Sequence, residues 1–161
     1  MKIIKEVLIF IYYNFRKVHD RNDWRFFWAA HVNAYYIPRL NIIDICAGIL
    51  SGVVFNVSRP RYLNYGALGF TSGHEITHGF DDQGSQRDGD GNLVNWWQPE
   101  TKKKYLEKTK CIIEQYGNYS VEINGKKIHL DGIRTQGENI ADNGGVKDSF
   151  LLCKDCVEGT I

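Results

Sequence analysis

Small and apolar residues recur at helical spacing between Tyr62 and Phe80, and Glu75 is the only formally charged side chain among them. That pattern predicts a buried helix over 64–80, with Asn64 as its candidate N-cap. A second amphipathic pattern over 99–116 begins at Pro99, which suits a first helical turn because the N–H it lacks would have no partner there. Shorter alternations mark extended segments. VNAYYIP and LNIIDI, within 31–45, are bounded by Pro38 and Asn41, and a hairpin over 120–130 turns at Asn124-Gly125, a dipeptide that tolerates positive φ. Dense Asp and Gly make 81–92 a turn region, 48–61 reads as a loop closing on Arg59-Pro60, and 16–30 and 135–152 read as helices. The elements mix types without βα alternation, so the expected class is α+β.

The first thirteen residues, MKIIKEVLIFIYY, have their longest uncharged run over 7–13. A bilayer-spanning helix needs about 20 apolar residues, so residues 1–15 are expected to form a buried or partner-facing N-terminal helix, with a weak signal anchor as the alternative. Asn14, Phe15, Arg16 and Lys17 stand where a signal peptide would place small residues. With 43% apolar and 13% aromatic residues the chain can build a core. Twenty Lys and Arg against nineteen Asp and Glu leave a net charge of +1, which argues against nucleic-acid binding. The four cysteines, Cys46, Cys111, Cys153 and Cys156, are too sparse for a disulfide scaffold. Cys153 and Cys156 form one C-x-x-C pair, with no second pair to complete a zinc site, and read as a local disulfide or two free thiols. The triplets Asn56-Val57-Ser58 and Asn118-Tyr119-Ser120 would accept glycan in a secreted chain.

The candidate chemistry lies in Gly73-His74-Glu75-Ile76-Thr77-His78, an H-E-x-x-H pattern. On a helix, positions four apart share a face, so His74 and His78 can converge on one Zn²⁺. Glu75 follows the first ligand and can take a proton from water in the open coordination position. The pattern arises by composition in roughly one such chain in a hundred, so its surroundings matter. No proline interrupts 61–98, and an unpaired carboxylate inside an apolar helix would be costly. A third histidine is not in place, because Asp81 and Gly84 occupy the Gly and His positions of the extended pattern. Glu138 and Asp142 offer the remainder. Four apart on a predicted helix, they face one side, so Glu138 can bind metal while Asp142 fixes the tautomer of a ligand imidazole.

The segments VNAYY, AGIL, LNYGALGFTSGHEITHGFDDQG, DGDGNLVNWW, CIIEQYGNYS and GENIADNGG, taken in order, resemble the catalytic domain of the neprilysin and endothelin-converting-enzyme family of zinc metallopeptidases over roughly residues 16–150. The resemblance implies a zincin-like (thermolysin-type) fold, mainly helical with a small sheet and C-terminally truncated, with 16–161 forming a partial catalytic domain. It implies one Zn²⁺ held by His74, His78 and Glu138, Glu75 as general base, and Asp142 as the partner of His74. Asn33 and Ala34 would hydrogen-bond the substrate main chain as an added strand, and Ile49, Phe70 and Thr71 would line the pocket for the side chain after the scissile bond. The implied activity is endoproteolysis of short peptides outside the cell, at the plasma membrane or secreted. The partners would be peptide substrates, with membrane contact only through the N-terminal anchor of full-length members.

Several departures bear on that activity. Family members carry a downstream His and Arg that stabilise the oxyanion and grip substrate, beyond Ile161, and His19, His31 and His129 lie in the wrong context to replace them. Cys46 replaces the usual Pro, Ser51-Gly52 replaces Pro-Pro, and the family disulfide partner of Cys111 lies near the family's C-terminus. The alternatives are therefore a zinc-binding fragment impaired in turnover and a redox or interaction protein built on Cys153 and Cys156. The run from Asp88 to Asn92 resembles a calcium loop, but Leu93 and Pro99 occupy the positions that need Gly and Glu, so it reads as a turn. Lys102, Lys103 and Lys104 read as a solvated helix face, and Trp96 and Trp97 as core packing.

Overall fold

The computed structural model describes residues 29–157, so the expected helix over 1–15 and almost all of the one over 16–30 lie outside the described residues. The chain enters on a hairpin in which β1 (Ala34–Ile37) pairs antiparallel with β2 (Ile42–Ile45), Ala34 opposite Ile45. Asn41 closes the turn at φ 50°, a conformation Asn accepts better than most residues. Its side chain accepts from the Tyr36 hydroxyl at 3.0 Å and donates to the Gly89 carbonyl at 3.1 Å, tying the Asp-rich turn to the hairpin. Cys46 follows, 2% exposed, and then a short 3-10 turn over Ala47–Ile49. Burial and the neighbouring Asp44 carboxylate push the Cys46 thiol up, whereas Cys111 is exposed.

Helix α1 (Arg61–His78) begins directly after Pro60. Asn64 is therefore not its cap, because it sits inside the first turns and has another task. Its Oδ1 accepts from the Asn56 amide at 3.0 Å and Arg59 Nε at 2.6 Å, and its Nδ2 donates to the Asn56 carbonyl at 2.9 Å. Arg59 also donates to the carbonyls of Val53, Val54 and Leu63. Local polarity marked Asn64 as a helix end, but its partners lie in the preceding loop. The expected burial of this helix also needs correction. Only Gly73 and Glu75 are buried, while Tyr62, Leu63 and Ile76 are exposed. Absence of charge on a helix says nothing about what covers it, and here one side packs on a neighbour while the other stays open among the described residues.

Helix α2 (Pro99–Gly117) starts on Pro99 at its first position, as the sequence predicts. Hairpin strands β3 (Ser120–Ile123) and β4 (Lys126–His129) turn on Asn124 and Gly125, both at positive φ. Trp97 stacks on Tyr105 and donates to the Ser85 carbonyl at 2.7 Å, but Trp96 is 41% exposed and lies at the core's edge. Helix α3 (Gln136–Val157) runs five residues beyond the predicted end at 152. The described residues are mainly helical, with two small two-stranded sheets.

The main packing is α1 along α3, and glycines set its closeness. A Cβ added at Gly145 would lie 2.7 Å from the Phe70 carbonyl and 3.0 Å from the His74 amide, and one at Gly144 would fall on the Thr77 side chain. Gly145→Ala gains helix propensity of about 1 kcal/mol but cannot be seated without parting the helices. A net loss of about 1–3 kcal/mol is expected, read as a lower urea midpoint at unchanged slope. A midpoint at or above that of the parent would mean that the two backbones are not in contact.

Candidate metal centre

Helical period places His74 and His78 on one face of α1, and the glycine crossing brings that face onto the first turn of α3. The two Nε2 atoms are 2.9 Å apart, and the Glu138 Oε2 lies 3.4 Å from the first and 3.6 Å from the second. The edges of a tetrahedral zinc site with ligands at 2.0–2.1 Å are about 3.3 Å long, and the three separations bracket that value. These three side chains form the one group among the described residues whose donor atoms converge closely enough to hold a metal ion.

The chemistry of the donors points the same way. His78 Nδ1 meets Asp81 Oδ2 at 2.7 Å, and His74 Nδ1 meets Asp142 Oδ1 at 2.9 Å. Burial alone would raise the Asp81 carboxyl, but the His78 hydrogen bond and the Gly84 and Gln83 amides outweigh it and hold the group below the usual carboxylate range. An ionised carboxylate can only accept, so each imidazole donates through Nδ1 and, when neutral, presents a lone pair at Nε2. Two lone pairs and a carboxylate oxygen then face one point with no proton between them. That arrangement repels itself unless a cation sits there, and the donor set fits zinc.

Glu75 is 6% exposed and belongs to the same cleft. Burial raises its carboxyl above the ordinary value. The positive potential of His74 and His78 and the Tyr36 amide pull the other way, and the Glu138 charge adds to the rise. The cleft has a volume of about 370 Å³ and is walled by Asn33 and the β1 residues Ala34 and Tyr36, opposite His74, Glu75, His78 and Glu138. Glu138 keeps 71% of its side chain open to solvent, so the cleft is accessible from that side. Ile49, Phe70 and Thr71 do not line it. Ile49 is buried beside Cys46, the Phe70 ring packs near His74 at 6.1 Å, and the Thr71 hydroxyl donates to the Ala67 carbonyl. His31 bonds the Tyr35 hydroxyl, and His129 ends β4 opposite Ser120.

Asp81 is the residue that sequence reasoning passed over. The sequence shows it as a failed position of a longer histidine motif and the start of an Asp-rich turn, yet its carboxylate, three residues after His78 and just beyond the end of α1, meets that imidazole. The Asp81 hydrogen bond raises the His78 pKa and its charge adds to that rise, while burial opposes. In chelator-treated chain this pair has a definite pH signature. The depressed Asp81 contributes stability above the ordinary carboxyl value of about 3.9, which is lost as pH falls through its lower folded value. The raised His78 contributes stability below about 6.5, which is lost as pH rises through its higher folded value. Asp81→Asn keeps an oxygen for the Gln83 and Gly84 amides but removes the charge. Its melting temperature in chelator should therefore vary less with pH on both limbs than the parent's, and parallel curves would exclude the ion pair.

The model of peptidase family M13 matches residues 33–160. Neprilysin-2 of Drosophila melanogaster is 56% identical over 150 residues, covering 91% of this chain and 19% of that protein. Endothelin-converting enzyme 1 of Bos taurus is 47% identical over 143 residues, covering 89% of this chain and 18% of that protein. The crystal structure of the Mycobacterium tuberculosis zinc metalloprotease Zmp1 with an inhibitor superposes with a TM-score of 0.80 at 40% identity, covering 89% of this chain and 22% of Zmp1. The chain thus spans about one fifth of the length of these relatives. Among the described residues no helix is long and apolar enough to cross a membrane.

Proposed function

The chain belongs to peptidase family M13, and from that premise we propose that it forms the metal-bearing segment of a neprilysin-type zinc metalloendopeptidase of zincin-like fold, acting on short peptides outside the cell. The observation that carries this reading is the convergence of His74, His78 and Glu138, both imidazoles having committed their other nitrogen to a carboxylate. Those three residues would hold one zinc ion, which when bound supplies Lewis-acid polarisation of a carbonyl and acidification of a water.

The rest of the mechanism belongs to the protein's own side chains. Glu75, buried and therefore more basic than a surface carboxylate, takes the proton of the attacking water on its carboxylate and returns it to the departing amide nitrogen. Asp142 and Asp81 are positioning residues that hold His74 and His78 in the tautomers the site needs. Among the described residues β1 pairs with β2 alone and borders the cleft, which supports a role for Asn33, just before the strand, and Ala34, at its start, in hydrogen-bonding an extended substrate. Ile49, Phe70 and Thr71 would shape the adjoining side-chain pocket only in a more enclosed cleft, since none of them borders the present one.

Elemental analysis of the purified chain tests the reading. One equivalent of zinc is expected, falling to none in His74→Ala. A chain that binds no stoichiometric transition metal ends the proposal. Zinc with no hydrolysis beyond that of Glu75→Gln would instead favour the zinc-binding module impaired in turnover.

A further inference from the structure

We propose that Asn56, in the loop that leads into α1, is an N-glycan attachment site whose sugar covers the two most solvent-exposed apolar side chains among the described residues. The inference rests on the extracellular part of the reading above. The sequon Asn56-Val57-Ser58 is fully on the surface, with all three residues exposed. Its local geometry is open on the side that reacts. Asn56 Oδ1 accepts from the Ser58 amide at 2.8 Å, which folds the triplet into a tight Asx turn. Asn56 Nδ2, the atom that would be modified, has no hydrogen bond within the described residues.

The surrounding frame holds this turn in place. The backbone of Asn56 is gripped on both sides by Asn64, at 3.0 and 2.9 Å, and the loop before it is clamped by Arg59 through the carbonyls of Val53 and Val54. That clamp leaves Val53 85% and Val57 84% exposed, flanking the asparagine. Among the described residues nothing packs over these isopropyl groups, and the apolar faces of pyranose rings attached between them would cover both. The site is also remote from the cleft. Asn64, which grips the turn, precedes His74 by ten helical residues, or about 15 Å along the axis of α1, and no residue of the turn borders the metal site. A glycan there leaves the cleft open.

The chemistry is a glycosyl transfer from a polyprenyl-pyrophosphate-linked oligosaccharide, catalysed by the transferase of the secretory pathway. A bond forms between Asn56 Nδ2 and the anomeric carbon, and the bond from that carbon to the pyrophosphate oxygen breaks. The electron pair leaves with the pyrophosphate, and Nδ2 gives up one proton. Nothing is oxidised or reduced.

The test is expression of the full chain in a secretory host behind a cleavable signal peptide, followed by zinc analysis and by peptide mapping with and without glycan-releasing amidase. In secreted material, a glycan is expected on Asn56, and the amidase should leave an acid at that position. Ser58→Ala and Asn56→Gln should each remove this one glycan with no change in zinc content. Secreted chain with Asn56 bare, or a glycan retained in Ser58→Ala, overturns the assignment. Bare Asn56 in secreted chain that still binds one zinc overturns the site alone, whereas a glycan on chain that binds no zinc supports the site and overturns the metallopeptidase reading, so the two failures can be told apart.

Discussion

Glu75→Gln is expected to retain one zinc per chain while lowering hydrolysis of an internally quenched peptide by about 10²–10⁴-fold, the contribution typical of a positioned general base. The glutamine side chain has nearly the same shape and can still accept from the Tyr36 amide, but it cannot take up a proton at any working pH. Zinc is retained because Glu75 is not among the three converging donors, which are supplied by His74, His78 and Glu138. Stability should not fall either. Burial already disfavours the charged form of Glu75, so replacing it with a neutral amide removes a cost of folding. The signature is therefore a loss of rate with unchanged metal content and an equal or higher melting temperature. Equal rates for parent and variant would remove Glu75 from the mechanism, and loss of zinc would mean that it is a ligand.

Removal of the metal should produce the largest change in stability. Without the cation, two imidazole lone pairs and a carboxylate face one another across 2.9–3.6 Å, at the crossing of the two helices that carry most of the tertiary packing. A metal present at a thousand times its dissociation constant stabilises the folded state by about 4 kcal/mol. For a domain of this size each kcal/mol moves the melting temperature by roughly 2–4 °C, so chelation should lower it by about 10 °C. His74→Ala should melt like the chelated parent and gain nothing from added zinc, because the remaining two donors cannot complete the site. Coincident melting curves of parent chain with and without chelator would show that no coordinated ion couples the helices.

Both expectations combine features of different visibility. The histidine pair and Glu75 were legible at once, since their spacing alone puts them on one helical face. Glu138 and Asp142 were legible as a pair on one face, and their relation to His74 rested on family resemblance. Asp81 was present in the same run of residues, but its role depends on how the chain leaves α1. The Gln83 and Gly84 amides turn back on its carboxylate and aim the second oxygen at His78. Asn64 shows the opposite error. Its residue type favours a cap, but the loop from Val53 to Arg59 claimed its side chain, and the helix started on Arg61 instead.

What the sequence determined by itself is whatever acts within a few residues: the period of α1, Pro99 at the start of α2, the Asn124-Gly125 turn, and the face shared by Glu138 and Asp142. These follow from backbone sterics and helical geometry, which need no distant partner. The tertiary structure alone decided how closely α1 and α3 approach, through glycines that leave no side chain between them, and hence that donors sixty residues apart meet. It also decided which side of the uncharged α1 is covered and that Ile49, Phe70 and Thr71 stand apart from the cleft. Such outcomes depend on which surfaces come into contact, and a linear pattern of apolar and polar residues records only that a surface exists.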